Sequence, residues 1–180
     1  EVVPSSLFRI ASVSKLVTAT AIMKLQEEGK LHLDDYVFGE HGILNDEAYS
    51  NIKDRRTKRI TVEHLLRHSS GFSSKYGDPM FLPLAIAKKM NVEPPIESQT
   101  TIQFALSRRL SFTPGTRGSY SNLGYAILEK VIEKLAEEPY EAYVQTHILN
   151  PSGIFDMHLG KSLQKDHFPN EVNYYEQSDA

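Results

Sequence analysis

Ser12 and Lys15 stand three residues apart where an apolar segment of the chain begins. Side chains with this spacing on a helix lie on one face, one turn apart, so the hydroxyl and the amine can share a proton. A serine hydroxyl becomes an effective nucleophile when a neighbouring base removes its proton. Lysine can be that base if burial holds its pKa down, and Val13, Leu16 and Val17 predict such burial in a dry crevice. The spacing therefore predicts a nucleophilic serine at the N-terminus of a helix.

The Ser-x-x-Lys pattern is not specific by itself. A second copy, from Ser162 to Lys165, lies in a polar stretch without helical periodicity, so we interpret it as a coincidence on the surface. The first copy also has a plainer interpretation, in which Ser12 caps a helix and Lys15 is solvated. Residues elsewhere in the chain are needed to choose between these two interpretations.

A tyrosine and an asparagine, Tyr120 and Asn122, follow the turn at 114–116 and open another apolar helix. A phenol near an ammonium can lose its proton, accept the proton of a serine and pass it to a leaving group. The asparagine amide offers a donor and an acceptor, which can orient a lysine and a substrate amide. The same spacing at Tyr49 and Asn51 lies in a charged segment without such a turn, so we favour Tyr120. The alternative for Tyr120 is a buried tyrosine at a loop–helix junction.

These motifs, with three others in the same order, resemble those of the penicillin-recognising serine hydrolases. That family includes class C β-lactamases, D-alanyl-D-alanine carboxypeptidases, and related esterases and peptidases. Tyr-x-Asn stands where class A enzymes have Ser-Asp-Asn, so the resemblance is to the class C branch. It covers about 7–160, and its motifs are Ser12-x-x-Lys15, Leu65 to Gly71, Pro114-Gly115-Thr116, Tyr120-x-Asn122 with Leu123-Gly124-Tyr125, and Pro151 to Ile154.

The resemblance implies a role for each of the four residues. Ser12 would be the acylated nucleophile, Lys15 its proton partner, and Tyr120 the general base and acid. Asn122 would orient the substrate, and the backbone N–H of Ser12 would form half of an oxyanion hole. No cofactor and no metal is implied.

One motif of the family has no counterpart in this chain after Gly160. The family carries Lys-Thr-Gly or His-x-Gly on a strand near its C-terminus, whereas no lysine or histidine after Gly160 is followed by x-Gly. That strand would supply the second oxyanion N–H, and one such donor is worth about 3 kcal/mol of transition-state stabilisation. We therefore expect a trimmed piece of an active enzyme.

The fold expected is mainly α as present in this chain. It would comprise the nucleophile helix and the helical lobe of the α/β serine β-lactamase/transpeptidase-like fold, with most of the sheet missing. We expect residues 1–180 to form a single partial domain, with the nucleophile helix at about 12–28 and the helical lobe at about 60–150. The expected helices cover about 12–28, a short stretch after Thr61, and about 81–90, 101–110, 122–137 and 140–149.

The leading functional hypothesis is a serine hydrolase that forms an acyl-enzyme with an amide or ester. Its substrate would be a β-lactam, a D-Ala-D-Ala peptide or a small ester. The alternative, which the missing motif motivates, is a non-catalytic family member that binds a peptidoglycan-like peptide or a protein partner. The resemblance favours an extracytoplasmic location, periplasmic or secreted, and the sequence predicts no oligomeric state.

Composition excludes several other functions. The net charge of the 180 residues is −3, which gives no strong attraction to nucleic acid or to an anionic membrane. Cysteine is absent, so disulfides, thiol nucleophiles and thiolate metal sites are excluded. No apolar run reaches the length of a membrane span. We expect a small-molecule or peptide substrate, with no nucleic acid partner and no membrane span.

Two histidines offer a rival site. His64 and His68 are four residues apart, a spacing compatible with zinc on a helix. Leu65 follows His64, however, where the HExxH motif of zinc proteases has glutamate. We therefore interpret both histidines as structural or surface residues.

Overall fold

The computed structural model of the protein describes residues 2–75, 77–161 and 164–175. Within these ranges, pairing between extended segments is limited to isolated bridges such as that between Leu7 and Glu171. The expectation of a mainly helical chain with little sheet is confirmed. Ser162 and Leu163, in the second copy of Ser-x-x-Lys, lie outside the described residues. The α-helices are α1 (Ser14–Glu27), α2 (Val62–Leu66), α3 (Pro83–Met90), α4 (Ser98–Leu106), α5 (Asn122–Ala136) and α6 (Tyr140–Val144).

Helix α5 forms the centre of the molecule and contacts α1, α2, α4 and α6. Because neighbours surround it, its apolar residues cover more than one stripe of the helix. Ser121 caps its N-terminus by accepting a hydrogen bond from the Gly124 N–H at 3.1 Å. The residues of α5 that are buried are Leu123, Gly124, Ala126, Ile127, Leu128, Val131 and Ile132.

Helix α1 is buried on one face only. Its buried residues Thr18, Ala21, Ile22 and Leu25 recur with helical spacing and face the core. Leu16 lies on the opposite face and is 70% exposed, and Val13 is also exposed. The prediction that Val13 and Leu16 bury Lys15 is therefore wrong for the part of the chain that the structure describes. Their side chains point away from the helices that pack on α1.

The short helix α2 begins with a capping box. The Thr61 hydroxyl accepts from the His64 N–H at 3.3 Å, and the Thr61 N–H donates to His64 Nδ1 at 3.2 Å. These reciprocal bonds satisfy two backbone donors at the helix start. The predicted helix after Thr61 is confirmed, and one nitrogen of His64 is used within the cap.

The start of α3 and the end of α4 differ from the predicted positions. Asp78 caps a 3₁₀ turn at Pro79–Phe81, so α3 begins only at Pro83. Helix α4 ends at Leu106, since the N–H of Leu110 donates to the Asp54 carboxylate at 3.0 Å.

Among the described residues, no helix has the length and apolar character needed to cross a membrane.

Candidate active site

Ser12 lies on a 3₁₀ turn, Ala11–Val13, that leads directly into α1. The first N–H groups of a helical segment have no partner within it, and they lie at the positive end of the helix dipole. Ala11 has a φ of +44°, in the left-handed region that residues with a Cβ adopt at a cost. The bend at Ala11 thus directs an exposed serine to the start of α1.

Lys15, the second residue of α1, contacts several groups of the site. Its Nζ donates to Asn122 Oδ1 at 2.7 Å and to Ser12 Oγ at 3.3 Å. The same ammonium lies 5.0 Å from the ring centroid of Tyr120 and 5.5 Å from that of Tyr125. Lys15 is therefore held by polar and aromatic groups, in place of the hydrocarbon that the sequence predicted.

Tyr120 completes the contacts of the serine. Its hydroxyl lies 2.7 Å from Ser12 Oγ and donates to it in the neutral form. Lys15 is the largest cause that lowers the pKa of the Tyr120 phenol, and the hydrogen bond with Ser12 lowers it further. The side chain is 49% exposed, so the alternative of a buried tyrosine is wrong. The arrangement favours the phenolate that proton transfer from a serine requires.

The structure brings all four sequence-predicted residues into one hydrogen-bonded network. Ser12 and Lys15 come from the start of α1, while Tyr120 and Asn122 flank the cap of α5. The network forms because α1 and α5 pack together with both N-termini at the same end of the site. Tyr49, in contrast, is buried in the core against Phe38.

Asp78 belongs to the network but was not predicted. Its Oδ2 accepts from Asn122 Nδ2 at 2.8 Å, and its Oδ1 accepts from the Met80 N–H at 3.0 Å. An aspartate immediately before a proline is a recognisable helix-cap signal. That signal predicts the turn at Pro79–Phe81, but nothing local to it points to Asn122, which lies 44 residues further along.

His68 also supports the site, in a role that the zinc interpretation did not consider. Its ring packs against Tyr120 with centroids 4.6 Å apart and against Tyr125 at 5.2 Å. Its Nδ1 accepts from the Ser121 N–H at 3.2 Å. Burial, followed by the charge of Lys15, lowers the pKa of His68. The neutral ring, with its proton on Nε2, is thus the form that fits.

Two concave surfaces flank the network. A cavity of about 460 Å³ lies between α3 and α4, and Asp78 and Ser121 form part of its wall. A second, more apolar cavity of about 410 Å³ lies beside the turn of Ser12, where Phe8, Ala11 and Ser14 contribute to the wall. Among the described residues no cluster of three or more metal-ligating side chains occurs.

The chain is similar in sequence and fold to several known proteins. A protein of Escherichia coli K12, provisionally named D-alanyl-D-alanine carboxypeptidase, is 31% identical over 150 residues, 83% of this chain and 33% of that protein. The solved octameric penicillin-binding protein homologue of Pyrococcus abyssi is 37% identical with a TM-score of 0.63, over 84% of this chain and 32% of that one.

A D-stereospecific amidohydrolase of Streptomyces is 30% identical with a TM-score of 0.62, over 80% of this chain and 42% of that one. The chain thus spans about a third of the length of the curated relatives it resembles. The family model described as Beta-lactamase matches residues 1–179. This chain therefore belongs to the beta-lactamase family.

Proposed function

We propose that Ser12 is the nucleophile of a serine hydrolase that acts on an amide or ester through an acyl-enzyme. The observation that carries the proposal is the contact of one serine oxygen with two groups that move or stabilise protons. Tyr120 Oη lies 2.7 Å from Ser12 Oγ, and Lys15 Nζ lies 3.3 Å from the same atom. A nucleophile with a base in hydrogen-bond reach, oriented by a third group, is the arrangement that covalent catalysis uses.

The proposed reaction begins when the Tyr120 phenolate accepts the Ser12 proton. The serine oxygen then bonds to the carbonyl carbon, and the negative charge moves to the carbonyl oxygen, which the Ser12 N–H stabilises. As the tetrahedral intermediate collapses, Tyr120 gives its proton to the leaving amine or alcohol, and the acyl group stays on Ser12. Water then attacks the ester, with Tyr120 acting as base and then as acid, and Ser12 is released.

The substrate class follows from the relatives rather than from the described cavity walls. Two relatives are named for D-alanyl-D-alanine or D-stereospecific amide hydrolysis, which favours an amide next to a D-amino acid. We also propose an extracytoplasmic location, which resemblance to the family of these relatives implies. Because the chain spans about a third of their length, we propose that residues 12–28 and 60–150 are the nucleophile helix and helical lobe of a larger catalytic domain.

The test uses the whole protein and benzylpenicillin as the probe. We expect intact-mass spectrometry to detect one penicilloyl adduct, and peptide mapping to place it on Ser12. Ser12→Ala should abolish the adduct and reduce the hydrolysis of nitrocefin by roughly a thousandfold or more.

Ser14→Ala is the matched control. Its hydroxyl donates to the Ala11 carbonyl at 2.7 Å, so this nearby serine is engaged away from the network. The control should retain the adduct. An adduct that persists in Ser12→Ala, or a wild-type protein that forms none, would contradict the assignment of the nucleophile.

A further inference from the structure

The Asn122 amide is held at both ends by groups of opposite charge. Its Oδ1 accepts from the Lys15 ammonium at 2.7 Å, and its Nδ2 donates to the Asp78 carboxylate at 2.8 Å. If the amide turned by half a revolution, Nδ2 would face the ammonium and Oδ1 would face the carboxylate. Both contacts would then become repulsive, because donor would meet donor and acceptor would meet acceptor.

We propose that Asp78 is a positioning residue, whose carboxylate fixes the Asn122 amide with its oxygen on Lys15 and one N–H free for a substrate carbonyl. The inference rests on the proposed function, since it assigns a role within the same site. Asp78 acts through Asn122 and takes no part in bond making. Asp78 lies in the loop before α3, and this loop contains none of the motifs identified in the sequence.

The position of the carboxylate is itself fixed by its loop. Asp78 Oδ1 caps the 3₁₀ turn Pro79–Phe81 through the Met80 N–H, which leaves Oδ2 for Asn122. The side chain is half-buried, and among the described residues it forms no ion pair with a cation. Among the described residues, each carboxylate oxygen therefore accepts one hydrogen bond. Oδ1 accepts from the Met80 N–H, and Oδ2 accepts from the Asn122 amide.

The charge of Asp78 also acts on Tyr120. The groups that face the phenol are Lys15 from α1, His68 from the turn after α2, Tyr125 from α5 and Asp78 from its loop. Asp78 raises the pKa of Tyr120, against the larger effect of Lys15. Removal of this negative charge should therefore move the acid limb of the pH–rate profile to lower pH.

Asp78→Asn separates positioning from capping. Asparagine caps helical turns about as well as aspartate, so the turn at Pro79–Phe81 should persist. The new amide has a donor end as well as an acceptor end, so it no longer excludes the turned orientation of Asn122. We expect acylation by benzylpenicillin in the whole protein to slow by roughly 10- to 100-fold, with the melting temperature unchanged.

Asp46→Asn is the matched control. Asp46 also precedes a 3₁₀ turn, but it pairs with Lys134, which lies 12 residues along α5 from Asn122, about 18 Å away. Its substitution should leave both the acylation rate and the pH–rate profile unchanged.

Acylation of Asp78→Asn within about twofold of wild type would overturn the proposal. A slower rate with a lowered melting temperature and an unshifted acid limb would also overturn it, because that pattern belongs to a purely structural cap. Both outcomes are interpreted by comparison with a wild-type protein that does form the Ser12 adduct. Failure of the wild type to form it would instead overturn the proposed function.

Discussion

At the scale of single residues, the charge of Lys15 acts on two aromatic side chains at once. The ammonium stabilises the phenolate of Tyr120 and is the largest cause that lowers its pKa. Burial is the largest cause that lowers the pKa of His68, and the Lys15 charge, which opposes the imidazolium, lowers it further. The two rings also pack against each other, with centroids 4.6 Å apart. One cation therefore favours the less protonated form of both members of a stacked pair.

Replacement of Lys15 by methionine should raise the pKa of Tyr120 towards 10.0, the ordinary value for tyrosine. The reason is that the largest cause of the lowered pKa is removed, while the contact with Ser12 remains. Ultraviolet difference titration of the phenolate, with Tyr120→Phe as the baseline, measures this shift. Lys24→Met is the control, because Lys24 pairs with Glu27 on the same helix. An unchanged titration in Lys15→Met would contradict the electrostatic role.

Protonation of His68 should destabilise the protein at mildly acidic pH. The folded-state pKa lies below the ordinary 6.5, so the unfolded chain takes up the proton first as the pH falls. The stabilising contribution is complete above pH 6.5 and is lost as the pH falls through the folded-state pKa. In structural terms, Nδ1 gains a proton that faces the Ser121 N–H.

Urea unfolding of the wild type and of His68→Gln across this pH range checks the prediction. The wild type should lose more of its free energy of unfolding between neutral and mildly acidic pH than the variant does. Parallel losses in the two proteins would show that another group is responsible.

The residues of the site differ in how far the sequence could predict them. The spacing of Ser12 and Lys15 at the start of one helix, and of Tyr120 and Asn122 at the start of another, can be recognised from the local sequence. The approach of one pair to the other, across 108 residues, was implied only by resemblance to a family. Asp78 escaped prediction because its partner is distant and its local context indicates no more than a helix cap.

At the scale of elements, the segment 68–72 connects α2 to the wall of the cavity between α3 and α4. This segment supports Tyr120 because the His68 ring packs against the Tyr120 ring. Gly71 lies in this segment with a φ of +96°, and a Cβ built there would be 2.5 Å from the Phe112 carbonyl oxygen. A turn with these two constraints accepts only glycine. The position of the His68 ring thus depends on the close approach of two backbone segments at Gly71, three residues further along the chain.

Gly71→Ala should lower the free energy of unfolding by about 3 kcal/mol or more, from the steric contact added to the strain of positive φ. Gly29→Ala is the control, because Gly29 has a φ of +69° and no atom within 4 Å of its built Cβ. Only strain acts there, at a cost of about 1 kcal/mol. Equal losses in the two variants, measured by chemical unfolding, would show that the contact with Phe112 is relieved by a small shift.

Helix positions could be predicted from the sequence better than helix ends. Local caps such as Thr61 start a helix through bonds within a few residues, and α2 begins where predicted. The end of α4 depends on Asp54, whose carboxylate binds the N–H of Leu110 from 56 residues away. The sequence of α4 alone does not indicate a hydrogen bond to so distant a residue, so its apolar periodicity cannot predict where the helix ends.

At the scale of the whole molecule, the described core lies on one side of α1. The sequence predicted hydrocarbon around Lys15 because Val13 and Leu16 are apolar, but burial depends on what packs against a face. The helices of the described chain cover the face of Ile22 and Leu25 and leave Leu16 exposed. The apolar character of the residues therefore predicted burial correctly for the core of α5 but not for the outer face of α1.

Two tyrosines on α6 should respond oppositely to loss of their hydroxyl groups. The Tyr143 side chain is 1% exposed, and its hydroxyl has no hydrogen-bond partner among the described residues. Burial raises the pKa of Tyr143 to about 12, so the group is neutral at pH 7. The hydroxyl of Tyr140, three residues earlier, lies 2.8 Å from Thr18 Oγ1 and links α6 to α1.

Tyr143→Phe should leave the free energy of unfolding unchanged or raise it by about 1 kcal/mol, because it removes a buried polar group that lacks a partner. Tyr140→Phe should lower it by about 1 kcal/mol, because it deletes a hydrogen bond and leaves the Thr18 hydroxyl in the core. Both variants lose one oxygen from the same helix, so hydrophobic area and helix propensity change almost equally. A loss of stability in Tyr143→Phe as large as in Tyr140→Phe would mean that the Tyr143 hydroxyl binds a partner in solution.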